Sequence, residues 1–333
     1  MKLSLVLTTI NKPNKNIKIF SEKCKEKNWK FLIIGDSKTP NGYKIKYGDF
    51  YSIGSQKKLS FRFSKICPNN SYTRKNIGYL LAMQNKSDVI VETDDDNCPK
   101  QNFFNKINLL HKVNELTGSK WVNVYLKFIK KKISIWPRGL PLNYIFNKPK
   151  FIKKKITKEF YLQQGVCEGN PDVDAIFRLT NSKIDIQFNN NLKFSLGDCL
   201  SPFNSQNTIW FKKIFPLMYL PVTCTMRATD ILRSFITLII LKNDNKKILF
   251  FGTTMFQDRN EHNLMNDFEQ ELGIYLNNYK IVELLKKIKI KKGEKHYLNN
   301  LKKMYLVLIK NKIFSKNELN YLNAWISDCK KLN

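Results

Sequence analysis

Hydrophobic and polar positions fall into distinct regimes along this chain of 333 residues. Leu3–Thr9 is an apolar, branched run without alternation, which predicts a strand buried on both faces. Lys15–Lys27 carries Ile17, Ile19 or Phe20, and Cys24 at helical spacing. Trp29–Ile34 predicts a second strand, closed by Gly35-Asp36-Ser37. Strand, helix and strand in this order form a βαβ opening. Pro68-Asn-Asn-Ser71 starts a helix that continues over Tyr72–Gln84, with Ile77, Leu80 and Leu81 on its apolar face. Val89-Ile90-Val91 predicts a short buried strand that Asn97 and Pro99 bring to an end.

Further on, Phe103, Ile107, Leu110 and Asn114 repeat at helical spacing, so Asn102–Glu115 predicts a helix ended by Gly118, with His111 on its flank. Trp121–Ile135 alternates imperfectly, as an edge of sheet would, and Trp136–Pro141 breaks regular structure. Thr229 is placed to cap a helix that buries Ile231, Phe235, Leu238 and Ile239. Ile248–Thr253 predicts one more strand, and from Asn260 onward the pattern is helical. The fold expected is α/β. A mostly parallel sheet with helices on both faces spans residues 1–240, and residues 241–333 form a mainly helical, lysine-rich extension packed on it.

Charge adds an anionic partner to this picture. The 58 basic and 27 acidic residues give a net charge of +31, which suits nucleic acid, a phospholipid surface or an acidic glycan. Abundant lysine and asparagine also fit a base-composition bias in the gene. The densest basic stretch of the amino-terminal half runs from Lys120 to Phe160, and the carboxyl-terminal tail is lysine-rich. Neither contains an RNA-binding signature or a DNA-reading helix, which argues against nucleic acid. Scattered cysteines, seven in all, and three distant histidines argue for free thiols in a reducing, cytoplasmic compartment and against structural zinc. The apolar runs at the start and at Phe235–Leu241 are too short to span a bilayer. The expectation is a cytoplasmic protein, with its basic surface drawn peripherally to the inner face of a membrane.

Candidate chemistry gathers after the Val89–Val91 strand, where Asp94, Asp95 and Asp96 follow one another. Adjacent carboxylates repel, and a cation relieves them. On an extended backbone Asp94 and Asp96 point the same way and Asp95 the opposite way, so the outer pair suits Mg²⁺ or Mn²⁺ and a diphosphate, while Asp95 is free to brace the loop. An acidic loop after a strand is the plain alternative. Thr8, Thr9 and Asn11 put polar atoms at the end of the first strand, and Asp36 lies just past the second, where α/β sheets bind ligands. Asp36 suits a ribose or a uracil-type base, or a solvated turn. Arg74, Lys75 and Asn76 occupy the first turns of their helix, where positive charge opposes the helix dipole. That favours contact with phosphate or sugar oxygens, or an exposed basic turn. Asp172 and Asp174 flank Val173, with Arg178 nearby. Asp198 is in a loop, and Asp230 lies in the first turn of a helix, where its charge is favoured by position alone.

Several segments together resemble the STELLO glycosyltransferase family and, more distantly, the plant reversibly glycosylated polypeptides. They are Ile34–Pro40, Ser71–Leu80, Glu92–Asn97, Gln163–Gly165, Asn170–Thr180 and Pro221–Val222–Thr223 with Arg227 and Asp230–Ile231. The resemblance covers roughly residues 1–240. It implies a GT-A fold whose Asp-x-Asp motif holds a divalent ion against the diphosphate of a sugar nucleotide, the donor substrate. With placement, it puts Thr8, Asp36, Arg74, Asn76, Asp94 and Asp95 on the nucleotide and Asp94 and Asp96 on the metal. The acceptor expected is a glycan, possibly anionic or lipid-linked. In resembling transferases a carboxylate at a helix start past the metal motif faces the acceptor. This favours Asp230 as the general base of an inverting reaction, with Asp172 or Asp174 as the alternative. A sugar nucleotidyltransferase or mutase would share the sheet and metal site. A non-catalytic protein binding an anionic polymer or nucleic acid would account for the charge alone.

Overall fold

The apolar runs at the start of the chain become strands because helices cover both of their faces. The computed structural model describes residues 1–118, 120–129, 133–147, 149–181, 185–258 and 263–332. In order, the elements are β1 (Leu3–Thr9), α1 (Lys15–Glu26), β2 (Lys30–Gly35), β3 (Asp49–Tyr51), α2 (Ile53–Lys58), α3 (Arg62–Ile66), α4 (Lys75–Gln84), β4 (Val89–Thr93), β5 (Asn97–Pro99), β6 (Leu110–Thr117) and α5 (Tyr125–Phe128). They continue as β7 (Lys150–Glu159), β8 (Leu162–Gly169), α6 (Ala175–Thr180), β9 (Lys193–Leu196), β10 (Asn207–Phe211), α7 (Thr229–Asn243), β11 (Ile248–Gln257), α8 (Leu264–Lys286), α9 (Tyr297–Lys310) and α10 (Glu318–Leu332).

The strands form one sheet in the order β3-β2-β1-β4-β10-β8-β11-β9-β6-β7, with β5 added alongside β11. Strands β3, β2, β1 and β4 are parallel, with Ser4 opposite Lys30 and Ile90. Beyond β4 the directions are mixed: β10 runs antiparallel to β4 and β8, and β8 parallel to β11. Helix α1 packs its Phe20 on Phe31 of β2. Helix α4 lies on the opposite face, where a Cβ on Gly78 would sit 2.4 Å from Val6 and 3.0 Å from Ile34. Only glycine permits that approach. The chain leaves β1 toward β2 and returns past it to β4, so the crossovers cover opposite faces. The strand order reverses between β1 and β4, and a ligand crevice forms at the carboxyl ends of such strands. This is the GT-A-like α/β class expected from the sequence, with a helical carboxyl-terminal region.

Strand β11 lies inside the sheet, between β8 and β9, so the sheet draws on residues to either side of position 240. Helix α8 packs on α6 and α7, and α10 packs on α3 and α4. Buried polar groups fix those contacts. Glu318 accepts bonds from the Tyr219 hydroxyl and the Val222 and Thr223 amides, and Asp328 caps α3 through the Arg62 and Phe63 amides.

Three local expectations are corrected. Asn102–Glu115 is not a helix: a 3₁₀ turn at Gln101–Phe104 precedes strand β6. Phe103 and Phe104 pack on Phe20 and Trp29, while Leu110 is 60% exposed, so the apparent helical stripe never shares one face. Pairing with β7 and β9 overrides the local period. Within Trp121–Ile135, the described residues contain the short helix α5 and, in place of a strand, isolated bridges from Trp121 to Leu200 and from Ile129 to Phe188; Lys130–Lys132 lie outside the described residues, as does Lys148 of the basic stretch. The cap of α7 is Ala228 rather than Thr229, whose hydroxyl donates to the Thr225 carbonyl. Asn260 and His262 also lie outside the described residues, and α8 begins at Leu264. Among the described residues no helix is long and apolar enough to cross a membrane, and all seven cysteines are free thiols.

Candidate active site

A cleft of about 370 Å³ opens at the carboxyl ends of β1, β2 and β4. Its lining brings together Thr8, Asp36, Arg74, Asp94, Asp95, Asp96, Asp172 and Asp230. That volume falls within the range of small-ligand pockets.

The acidic triplet follows β4 in a turn, so strand alternation ends at Thr93 and each carboxylate has its own surroundings. Asp94 Oδ1 accepts from the Tyr72 hydroxyl (2.7 Å) and the fully buried Lys75 ammonium (2.6 Å). Burial pushes this carboxyl above the usual range, against the pull of Lys75 and Tyr72. Asp95 braces the loop after β1, accepting from Thr9 Oγ1 (2.6 Å) and Asn11 Nδ2 (3.1 Å). Asp96 Oδ2 accepts from Gln257 Nε2 (2.8 Å), at the end of β11. Beneath them, Glu92 of β4 is bound by Arg233 (2.8 Å) and by the Trp210 indole (2.7 Å), which fixes the strand carrying the motif.

Arg138, which also lines the cleft, holds two carboxylates at once. It meets Asp172 through Nε and Nη2, both at 2.8 Å, and Asp230 through Nη1 (3.0 Å) and Nη2 (3.1 Å). Gly139, at φ +84°, turns the chain immediately after it. Asp230 also accepts from the Ser205 amide and hydroxyl, both at 3.2 Å. Burial alone would raise the Asp230 carboxyl, but the Arg138 charge and hydrogen bonds hold it below the usual carboxylate range.

Other expected residues are turned to bracing. Asp36 accepts from the backbone amides of Ser37, Asn70 and Ser71, tying the end of β2 to the entry of α4. The Arg74 guanidinium is buried against Gln56 and the Cys67 and Pro68 carbonyls. Asn76 does not line the cleft: it is fully buried, and both ends of its amide bond the Leu220 backbone. Asp174 does not line it either. It caps α6 through the Phe177 amide and accepts from the Trp136 indole, with burial pushing its carboxyl up to about 6. Asp198 lies away from the cleft, beside Lys242.

The sequence reading missed Arg138, Tyr72 and Ser205 as parts of the site, and turned Lys75 toward a ligand where it pairs with Asp94. One signal was available for the first. The basic residues comprise 51 lysines and seven arginines. In so lysine-biased a chain, a retained arginine marks a place where a planar fork is needed. Four of the seven, Arg74, Arg138, Arg178 and Arg227, line this cleft.

Comparison with known proteins adds an independent line. Residues 227–333 match the sequence model of the STELLO glycosyltransferases. Over this stretch the chain is similar to the STELLO family. It is 26% identical to the probable glycosyltransferase STELLO1 of Arabidopsis thaliana over 97% of its length, and 26% identical to STELLO2 of the same plant over 91%. It spans less than half of these relatives, 44% and 42% of their lengths. The STELLO resemblance expected over residues 1–240 therefore extends through the carboxyl-terminal helices. The matched stretch begins at Arg227 on the cleft wall and includes Asp230.

Proposed function

We propose that the cleft binds a sugar nucleotide together with Mn²⁺ or Mg²⁺ and transfers its sugar to a hydroxyl of a glycan or lipid-linked acceptor. One observation carries this reading: the acidic motif after β4 and the Arg138-held carboxylates share a single cleft at the reversal of strand order.

The donor set suits a hard cation. Among the described residues no cluster of three or more His, Cys, Asp or Glu side chains is arranged to hold an ion. An ion carried by one or two carboxylates and completed by diphosphate oxygens and water needs no such cluster. Asp94 and Asp96 would supply those carboxylate oxygens, since Tyr72 and Lys75 both engage Oδ1 of Asp94. The ion, when bound, offsets negative charge on the departing diphosphate.

Asp230 is the residue assigned to take the acceptor proton in an inverting transfer. Arg138 keeps its carboxylate ionised, and it lines the same cleft as the acidic motif. Asp172 is the alternative, held by the same guanidinium.

The test is calorimetric titration of a panel of sugar nucleotides with Mn²⁺ against the native chain and Asp96→Asn. Native binding that requires Mn²⁺, weakened at least tenfold in the variant with thermal stability retained, supports the reading. Binding that ignores both the metal and the substitution would overturn it.

A further inference from the structure

Between the two carboxylate centres runs a chain of hydroxyl groups. Tyr72 Oη lies 2.7 Å from Asp94 Oδ1, and Ser205 Oγ lies 3.2 Å from Asp230 Oδ2. The two hydroxyl oxygens are themselves hydrogen-bonded, although 133 residues separate them in sequence. Lys75 Nζ sits 2.6 Å from both Tyr72 Oη and Asp94 Oδ1.

The proton inventory constrains this chain. It has three links, carboxylate to Tyr72, Tyr72 to Ser205, and Ser205 to carboxylate, and each hydroxyl brings one proton. If Tyr72 donates to Asp94, Ser205 must donate to Tyr72, and Asp230 keeps only the Ser205 amide and Arg138. If Ser205 donates to Asp230, Tyr72 must donate to Ser205, and Asp94 keeps only Lys75. The mixed arrangement, with both protons pointing outward, sets two oxygen lone pairs against each other in contact. Burial makes that costly: Ser205 and Lys75 are almost wholly enclosed.

We propose that Tyr72 and Ser205 are positioning residues forming a reversible two-hydroxyl bridge, whose protons turn together toward whichever of Asp94 and Asp230 has the greater need. A divalent ion held on Asp94 together with the donor would satisfy that carboxylate, so both hydroxyls would turn to Asp230 and fix it in its ionised form. This consequence rests on the function proposed above, whereas the bridge itself does not.

The experiment needs no ligand. Urea unfolding is measured for Asp94→Asn, Asp230→Asn and the double variant, in the native and the Tyr72→Phe backgrounds. With the bridge, the loss of one carboxylate is partly offset by stronger bonding at the other. The double variant should then shift the unfolding equilibrium by roughly fivefold or more beyond the product of the single shifts. Direct repulsion between the two carboxylates has the same sign and persists without the Tyr72 hydroxyl. In the Tyr72→Phe background the excess should fall below half its native size. Ser205→Ala should abolish it likewise and stands in should Tyr72→Phe not fold, while Ser205→Thr, which restores the hydroxyl, should retain it. No excess in the native background, or an equal excess in both, overturns the bridge. Failure of sugar-nucleotide binding would remove the functional reading and leave the bridge standing.

Discussion

Arg138→Met isolates the electrostatics of the cleft wall. The substitution keeps most of the side-chain length and removes the guanidinium that supplies four hydrogen bonds to Asp172 and Asp230. Both carboxylates are largely buried, so neither can be rehydrated without opening the wall. Asp230 keeps the Ser205 donors, while the side-chain bonds to Asp172 are those of Arg138. Removing one member of a buried ionic cluster costs about 3–5 kcal/mol, because it strands the charge left behind. The pH dependence gives a second check. In the native chain the Asp230 carboxyl is depressed, so its contribution is present above the unfolded value near ~3.9 and is lost as pH falls through the folded value. Without Arg138, burial is opposed only by the Arg233 charge and the Ser205 hydrogen bonds, so that carboxyl should rise and protonation should favour the folded variant. The deficit should therefore be greatest near neutrality and shrink below roughly pH 5. Urea unfolding from pH 4.5 to 8 measures both. Adding Asp230→Asn to Arg138→Met should recover at least ~1 kcal/mol at neutral pH, because one stranded charge is gone. A deficit under ~1 kcal/mol with a pH slope parallel to the native chain would refute the argument.

Asp230→Asn should lower sugar transfer by roughly 10²–10⁴ while donor binding persists, as loss of a general base requires; stopped-time transfer assays with parallel calorimetry separate the two. A loss confined to donor binding would move the role to another residue. Asp174 carries a raised carboxyl, so its contribution is fully present below the unfolded value near ~3.9 and is lost as pH rises through about 6. Asp174→Asn should flatten the stability profile over that window, and an unchanged slope in thermal unfolding would show that the group titrates normally.

Much of the fold was legible because the early strands are buried on both faces. Leu5, Val6 and Leu7 in β1 and Val89 and Ile90 in β4 are wholly or almost wholly inaccessible, so a continuous apolar run was the right signal. The same rule fails at β8. Its Gln163 and Gln164 are buried polar residues whose amides are satisfied by distant partners such as the Asn108 carbonyl and Asn204. A glutamine pair carries no apolar pattern, so the stretch stood out as a motif rather than as a strand. At β6 the period itself misled, since spacing of three and four residues arose by chance in a segment whose structure is set by pairing with β7 and β9.

The site was legible where it is local and illegible where it is long-range. Asp94–Asp96 is contiguous, and its place after a buried strand can be read from neighbours alone. Its charge balance cannot. The cation that engages Asp94 comes from α4, 19 residues earlier, and the cation that engages Asp230 comes from a turn 92 residues earlier. A negative cluster in sequence thus becomes a partly neutralised set of carboxylates in space, with Lys75 and Arg138 as internal counter-charges. That partial neutralisation changes what a divalent ion must do. Lys75 already offsets Asp94, and the single charge of Arg138 is shared by Asp172 and Asp230, while Asp95 and Asp96 accept from the neutral Thr9, Asn11 and Gln257. A large further demand for positive charge comes with the ligand. A diphosphate brought to Asp94 and Asp96 adds negative charge that these fixed ion pairs are not free to neutralise, so the cleft should take up the cation with its ligand rather than before it. Metal titration without nucleotide should accordingly show weak binding, and tight binding of Mn²⁺ alone would contradict this order.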